Sequence, residues 1–321
     1  MGLNPQAFQI PVIKFSKGLK ELDRGTEGWN NLCDKVREAC ENYGCFQLMF
    51  EEIPIQLKAE IFSVIRQLYG LPSDIKQKNV NPTRPGRGYV GRKNPVSPLF
   101  ESFGIENASN YDSLKSFMDL MWPNGHDHFC QTVSSMMKLL DELSHLIGTM
   151  ILDGYGLGEK LESIMECETL LRIMRYETNS TSGESVKGLA AHTDKVLFTF
   201  LCEDQVSGLE VETKNGQWIK LSPSPTSFIF IVGDLLKAWS NCRMHAVNHR
   251  VMMTGDKERY SFGVFAVPMD ASNIKAPKEL VDEEHPQVLK EFRYKDYLDF
   301  TYSEMASSID YHMHMLSFAG M

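Results

Sequence analysis

The stretch Leu209-Glu210-Val211-Glu212-Thr213-Lys214-Asn215-Gly216-Gln217-Trp218-Ile219-Lys220-Leu221 decides the fold class. Short apolar runs, Leu209 to Thr213 and Trp218 to Leu221, flank Asn215-Gly216, and the Asn-Gly dipeptide suits the type I′ turn of a hairpin between them. Further short apolar runs lie to either side, at Leu170 to Tyr176, Val196 to Cys202, Phe228 to Val232, Ala246 to Met253 and Tyr260 to Val267. Turn residues separate them and no helical stretch intervenes. Closely spaced strands of this kind predict an antiparallel sandwich or double-sheet jelly roll, not a parallel sheet.

Upstream the texture is helical. Leu32, Val36, Ala39 and Tyr43 form one apolar stripe, and Leu57, Ile61, Val64, Ile65 and Leu68 form a second that stops at Gly70 and Pro72. A third helix is expected from about His126 to Asp153, ending at Gly154. Between them, Asn79 to Pro98 carries Pro82, Pro85, Pro95 and Pro98 with Gly86, Gly88 and Gly91, so it reads as a long irregular loop of the kind that tends to be functional. Helical periodicity returns near Val288 to Met305. The expected organisation is a single compact unit, with residues 1–165 as a helical and loop region packed on a β core of residues 166–321 that ends in a helical segment.

Composition narrows the function. Of 321 residues, 42% are hydrophobic and 23% charged, which excludes disordered, collagen-like and coiled-coil classes. No run approaches the roughly 18 apolar residues of a membrane span, and the N-terminus lacks a basic start followed by an apolar run, so a soluble cytoplasmic protein is expected. A net charge of −9 disfavours nucleic acid as a partner. The seven cysteines include no C-x-x-C pair and suit free thiols in a reducing compartment. The sequons at Asn107 and Asn179 read as chance matches.

The chemistry concentrates in the strand region. In extended backbone, residues i and i+2 share a face, so His192 and Asp194 of Ala191-His192-Thr193-Asp194 can grip one ion together. His249, on a later strand, supplies a third ligand. Two histidines and one carboxylate on one face of an octahedron form the facial triad of non-haem Fe(II) oxygenases, which leaves three positions for a chelating co-substrate and O₂. Arg259-Tyr260-Ser261 again puts two side chains on one face, and an arginine fork beside a hydroxyl suits a carboxylate. If Thr254-Gly255-Asp256 is a three-residue turn, antiparallel pairing sets Ser261 opposite His249 and the anchor beside the metal. His245 is four residues from His249, too far along a strand to share an ion. His126, His128, His312 and His314 are expected to be solvated, and the methionines mostly to fill the core. A zinc hydrolase could use the same three ligands but would leave Arg259 and Ser261 without a role. A non-catalytic binding protein on this scaffold would be expected to have lost a ligand.

Along nearly its whole length the sequence resembles the plant-type 2-oxoglutarate- and Fe(II)-dependent dioxygenases. The resemblance is carried by Ile10-Pro11-Val12-Ile13, Tyr43-Gly44-Cys45-Phe46, Gly86-Arg87-Gly88-Tyr89, Met121-Trp122-Pro123, His192-Thr193-Asp194, Gly208-Leu209-Glu210-Val211, Val232-Gly233-Asp234, Ala246 to Val251, Arg259-Tyr260-Ser261-Phe262 and Glu284-His285-Pro286. Thr193-Asp194-Lys195 and Val232 to Leu236 are most similar to the subgroup that includes the alkenyl-glucosinolate dioxygenases. The resemblance implies a mainly β protein with flanking helices around a double-stranded β-helix core, the cupin-like jelly roll. It assigns His192, Asp194 and His249 to iron, Arg259 and Ser261 to the distal carboxylate of 2-oxoglutarate, and Tyr176 to the same carboxylate. Where the family often has Asn-x-Tyr, this chain has Met174-Arg175-Tyr176. The implied reaction oxidises a C–H bond of a small, largely apolar plant metabolite by hydroxylation, desaturation or ring closure, consuming O₂, releasing succinate and CO₂, and using ascorbate as a reductant. A monomer is expected. Phe100, Phe103, Met118, Phe198 and Phe265 are candidate pocket walls. The apolar C-terminal segment, Tyr297 through Phe318, is expected either to cover the pocket mouth or to seal the core.

Overall fold

A computed structural model describes residues 9–15, 23–91, 99–159, 164–177, 185–222, 224 and 227–321. In chain order its strands are β1 (Val12–Phe15), β2 (Cys45–Phe50), β3 (Phe100–Glu106), β4 (Cys167–Tyr176), β5 (Val186–His192), β6 (Phe198–Glu203), β7 (Leu209–Glu212), β8 (Trp218–Lys220), β9 (Ser227–Val232), β10 (His249–Met253), β11 (Arg259–Pro268), β12 (Asn273–Ile274) and β13 (Phe292–Arg293). Its helices are α1 (Glu27–Asn42), α2 (Ile55–Tyr69), α3 (Ser73–Lys76), α4 (Tyr111–Met121), α5 (Asp127–Gly154), α6 (Asp234–Trp239), α7 (Tyr294–Thr301), α8 (Glu304–Ser307) and α9 (His314–Ala319). The three helices expected from periodicity are α1, α2 and α5.

The strands form a large sheet in the order β1-β2-β9-β6-β11-β4-β3 and a small one in the order β5-β10-β7-β8. All pairings in both are antiparallel except β1 with β2. Ile229, Ile231 and Cys45 of the large sheet pack on Leu209 and Val211 of the small one, while Phe100, Met174 and Tyr176 pack on Val251 and Met253. The opposite face of the large sheet, with Phe46, Phe200, Phe230 and Phe262, packs on α1, α2 and α5. Strand β9, Ser227-Phe228-Ile229-Phe230-Ile231-Val232, is therefore buried at every position, which explains its unbroken apolar run. This is the jelly-roll core expected from the strand spacing, with helices around it.

Four features differ from the sequence reading, the first being α6, Asp234–Trp239, a short helix between β9 and β10 where no helix was expected among the strands. The region before residue 165, expected to be helix and loop, adds β1, β2 and β3 to the large sheet. Strand β2, Cys45-Phe46-Gln47-Leu48-Met49-Phe50, is covered on both faces and shows no two-residue period to reveal it. The β7/β8 hairpin forms, but its turn is not type I′. Gly216 has φ of 77° whereas Asn215 is not in the left-handed region, and the Gly216 N–H donates to Thr213 O at 2.9 Å, so the connection is a longer turn closed by a left-handed glycine. Finally, β10 and β11 do not pair. Both edges of β10 are taken, by β5 and by β7, and the chain crosses to the large sheet before β11 begins. Ser261 is consequently not a sheet neighbour of His249.

Two histidines expected in solvent also differ. The His126 ring accepts from the Phe129 N–H through Nδ1 and caps α5. His314 is buried, with Nε2 donating to Ala306 O at 3.0 Å. The C-terminal segment packs on the core, as one of its two expected roles requires: Met315 and Ala319 are buried with Phe318 packed on Tyr297, while Tyr302 and Tyr311 line the cavity described below. Asn179, Pro95 and Pro98 lie outside the described residues.

Candidate active site

His192 ends β5, His249 opens β10, and the two are directly paired in the antiparallel ladder. Their rings lie with centroids 4.3 Å apart. Asp194 follows two residues past the end of β5, and its Oδ1 stands 3.7 Å from Nε2 of each histidine. The three donor atoms all lie within 4.8 Å of one another. Sequence spacing put His192 and Asp194 together; the β5/β10 pairing brings in His249.

The surrounding bonds aim these donors. His192 Nδ1 donates to Ala190 O at 2.8 Å and His249 Nδ1 to Val247 O at 3.2 Å, so in both rings Nε2 carries the free lone pair. The Thr199 hydroxyl donates to Asp194 Oδ2 at 2.6 Å and leaves Oδ1 for an ion. The Asp234 N–H donates to the Asp194 carbonyl at 2.8 Å and fixes the turn from the other side. Burial, together with the neighbouring His249, pushes His192 down to about 4, so its imidazole is neutral near pH 7, the form that binds metal. Two imidazole nitrogens and one carboxylate oxygen, held this way, fit a divalent first-row metal. His245 lies outside the cluster.

Across the cavity, on the large sheet, Arg259 and Ser261 are fully buried. Arg259 Nε and Nη2 donate to Glu203 Oε2 at 3.2 and 2.9 Å, and Nη1 donates to Ser261 Oγ at 3.0 Å. These bonds use three of the five guanidinium N–H groups and leave two for a ligand carboxylate. Tyr176 stacks against the guanidinium at 4.9 Å, and its hydroxyl donates to Met174 Sδ at 3.7 Å.

One cavity of about 450 Å³ takes in both groups, with His192, Asp194 and His249 on one side and Arg259, Met174 and Tyr176 on the other. Phe100 and Phe265 line it. Phe103, Met118 and Phe198 do not: all three are buried in the helix-side core. Alternation is the reason. Phe100 shares its face of β3 with Ser102, so Phe103 points away, and Phe198 of β6 stacks on Phe230 while Thr199 and Leu201 face the cavity. Met118 sits on the buried stripe of α4.

The sequence reading missed several residues around the site. Thr199 and Glu203 share the cavity-facing parity of β6, a signal present in the sequence, but nothing local names their partners. Lys195 pairs with Asp234 at 2.8 Å and donates to Tyr311 O at 3.0 Å, while the Tyr297 hydroxyl donates to Asp234 at 2.5 Å, tying the C-terminal segment to the turn that carries Asp194.

Comparison with known proteins agrees with this geometry. Residues 167–268 match the family model of the 2OG-Fe(II) oxygenase superfamily, and residues 10–125 match that of the non-haem dioxygenase in morphine synthesis N-terminal region. The probable 2-oxoglutarate-dependent dioxygenase AOP1.2 of Arabidopsis thaliana is 37% identical over 304 residues, 93% of this chain and 92% of that protein. The chain belongs to the 2-oxoglutarate/Fe(II) oxygenase superfamily. Among solved structures, the dioxygenase for auxin oxidation of rice superposes with a TM-score of 0.81 at 30% identity, covering 97% of this chain and all of that one. The dioxygenase for auxin oxidation 1 of Arabidopsis thaliana, in complex with 2-oxoglutarate, gives 0.77 at 26% identity over 87% of this chain and all of that one. As a 2-oxoglutarate/Fe(II) oxygenase the chain is an oxidoreductase that works with Fe(II), 2-oxoglutarate and O₂. The zinc-hydrolase and non-catalytic alternatives are left without support.

Proposed function

We propose that the chain is a dioxygenase that oxidises one C–H bond of a small, largely apolar plant metabolite, by hydroxylation, desaturation or ring closure. His192, Asp194 and His249 hold Fe(II), and Arg259, Ser261 and Tyr176 hold the distal carboxylate of 2-oxoglutarate. When bound, iron, 2-oxoglutarate and O₂ supply the oxidising power, with succinate and CO₂ as by-products. The single observation that carries this reading is the shared cavity, in which the triad and the arginine fork face each other.

The chain's own residues do the positioning. Thr199 and the two backbone carbonyls fix the ligand atoms, and the arginine fork sets the direction of the co-substrate. Phe100 and Phe265 offer apolar walls, and the C-terminal segment, latched through Lys195, limits access of water. The relatives named for auxin oxidation act, by that name, on a small plant metabolite, which supports the substrate class. All seven cysteines are free, which supports a reducing, cytoplasmic setting. Among the described residues no helix is long and apolar enough to cross a membrane. The test is to incubate purified chain with Fe(II), 2-oxoglutarate and a panel of plant metabolites, following succinate release and the gain of one oxygen atom or loss of two hydrogens. Succinate release that no metabolite stimulates across such a panel would count against the substrate class.

A further inference from the structure

Among the described residues, five arginine and lysine side chains line the cavity. Four have a carboxylate partner: Arg84 with Asp270, Arg87 with Glu106, Lys195 with Asp234, and Arg259 with Glu203. Arg172 of β4 has none among the described residues. Its Nη2 donates to Ser102 Oγ at 3.1 Å, its guanidinium lies 5.9 Å from the Phe100 ring centroid, and its Nε is buried without a partner. Among the described residues Asp194 is the only carboxylate lining the cavity, and iron takes that one. Burial pushes the Arg172 guanidinium below its ordinary value, but an arginine in a protein stays protonated, so a positive charge with no carboxylate partner among the described residues faces the cavity.

The flanking strands contribute no acid beside it, although the Arg87 backbone lies over Gly104 and the Phe265 ring over Gly263. Across the sheet Arg172 pairs with Gly104 on β3 and Gly263 on β11, so neither directly paired position carries a side chain. Arg172 is also distinct from the co-substrate anchor. Arg259 pairs with Tyr176, four residues further along β4, which is about 13 Å at about 3.3 Å per residue. Between the two lies Met174, and just beyond Arg172 on the same face lie Leu170 and its partner Phe265, an apolar surface.

We infer that Arg172 is the recognition site for a carboxylate on the primary substrate, which is therefore a small organic acid whose apolar body lies against Leu170 and Phe265. This names the substrate class for the site and rests on the dioxygenase reading of it. A planar guanidinium matches a carboxylate in two-point geometry, and one arginine neutralises one negative charge. A neutral substrate would leave the buried cation and its Nε unsatisfied, a cost that the acid removes.

The test compares 4-phenylbutyrate with its primary amide, titrated calorimetrically into the anaerobic Fe(II)- and 2-oxoglutarate-loaded chain. The acid is expected to bind about 10- to 100-fold more tightly than the amide, the range of a charge-assisted pair. Arg172→Met should bring the ratio to about one while shifting 2-oxoglutarate affinity less than about threefold, and Arg172→Lys should restore part of the preference. An acid that binds no more tightly than its amide, or not at all, overturns the inference. So does a preference that survives in Arg172→Met, or an equal loss of 2-oxoglutarate affinity, which would assign Arg172 to the co-substrate. If 2-oxoglutarate fails to bind the wild-type chain, the dioxygenase reading falls instead, and the acid-to-amide ratio measured without it still decides the subsite.

Discussion

Thr199→Val removes one hydroxyl and nearly nothing else, and the structure says what should follow. Thr199 is almost fully buried, and its hydroxyl donates to Asp194 Oδ2 at 2.6 Å, a short bond to a charged acceptor. Without it, Oδ2 has no other donor among the described residues, and the carboxylate is free to turn away from His192 and His249. A hydrogen bond to a charged group contributes about 1.5–3 kcal/mol, which at about 1.4 kcal/mol per tenfold corresponds to a factor of roughly 10 to 150. Outer-shell partners of metal ligands typically contribute about 10- to 100-fold in affinity, and the two ranges overlap. Anaerobic calorimetric titration with Fe(II) should therefore show Kd raised about 10- to 100-fold, with Thr199→Ser close to wild type. A Thr199→Val chain that is folded and keeps Kd within about twofold of wild type would refute the argument that this bond orients the ligand.

His192→Ala, Asp194→Ala and His249→Ala should each abolish turnover, measured as 2-oxoglutarate-dependent succinate release, and ordinary activity in any one would remove that residue from the triad. Arg259→Lys keeps the charge but loses the planar fork, so the KM for 2-oxoglutarate should rise more than about tenfold while Fe(II) affinity holds; an unchanged KM would point to another anchor. Met174→Asn should change 2-oxoglutarate affinity by no more than about threefold, because Tyr176 exchanges a weak sulfur acceptor for an amide; a much larger effect would mean that the methionine shapes the site directly. Burial holds both His192 and His245 at about 4, below the 6.5 of a free histidine, so the unfolded chain takes up protons that the folded chain refuses. Their contribution to stability is complete above 6.5 and is lost as pH falls toward 4, so the Tm of the metal-free chain should drop between about pH 7 and pH 5, less steeply in His245→Gln; a flat Tm would contradict it.

Some of this protein is written in near-neighbour patterns, and those the sequence determines alone. A three-to-four-residue apolar repeat specifies α1, α2 and α5 within a few residues, because a helix closes its bonds locally. The Asn215-Gly216 dipeptide between two short apolar runs likewise specifies the β7/β8 hairpin, and the two-residue period of extended backbone places His192 with Asp194, and Arg259 with Ser261, on common faces. His249 and Tyr176 did not follow from that pattern: the β5/β10 pairing joins His249 to the cluster, and Tyr176 was named by the family resemblance alone. What the sequence could not determine is which strand lies beside which. The β10/β11 hairpin looked sound from its turn, yet both edges of β10 are occupied by strands distant in the chain. Strand β2 is covered on both faces and carries no alternation to betray it. Thr199, Glu203 and Arg172 acquire meaning only from their surroundings: a carboxylate across a turn, a guanidinium on a neighbouring strand, and a buried cation with no carboxylate partner among the described residues. Backbone periodicity is set by bonds a few residues long, whereas strand pairing and charge compensation are set by the packing of segments far apart in sequence, and only the tertiary structure decides them.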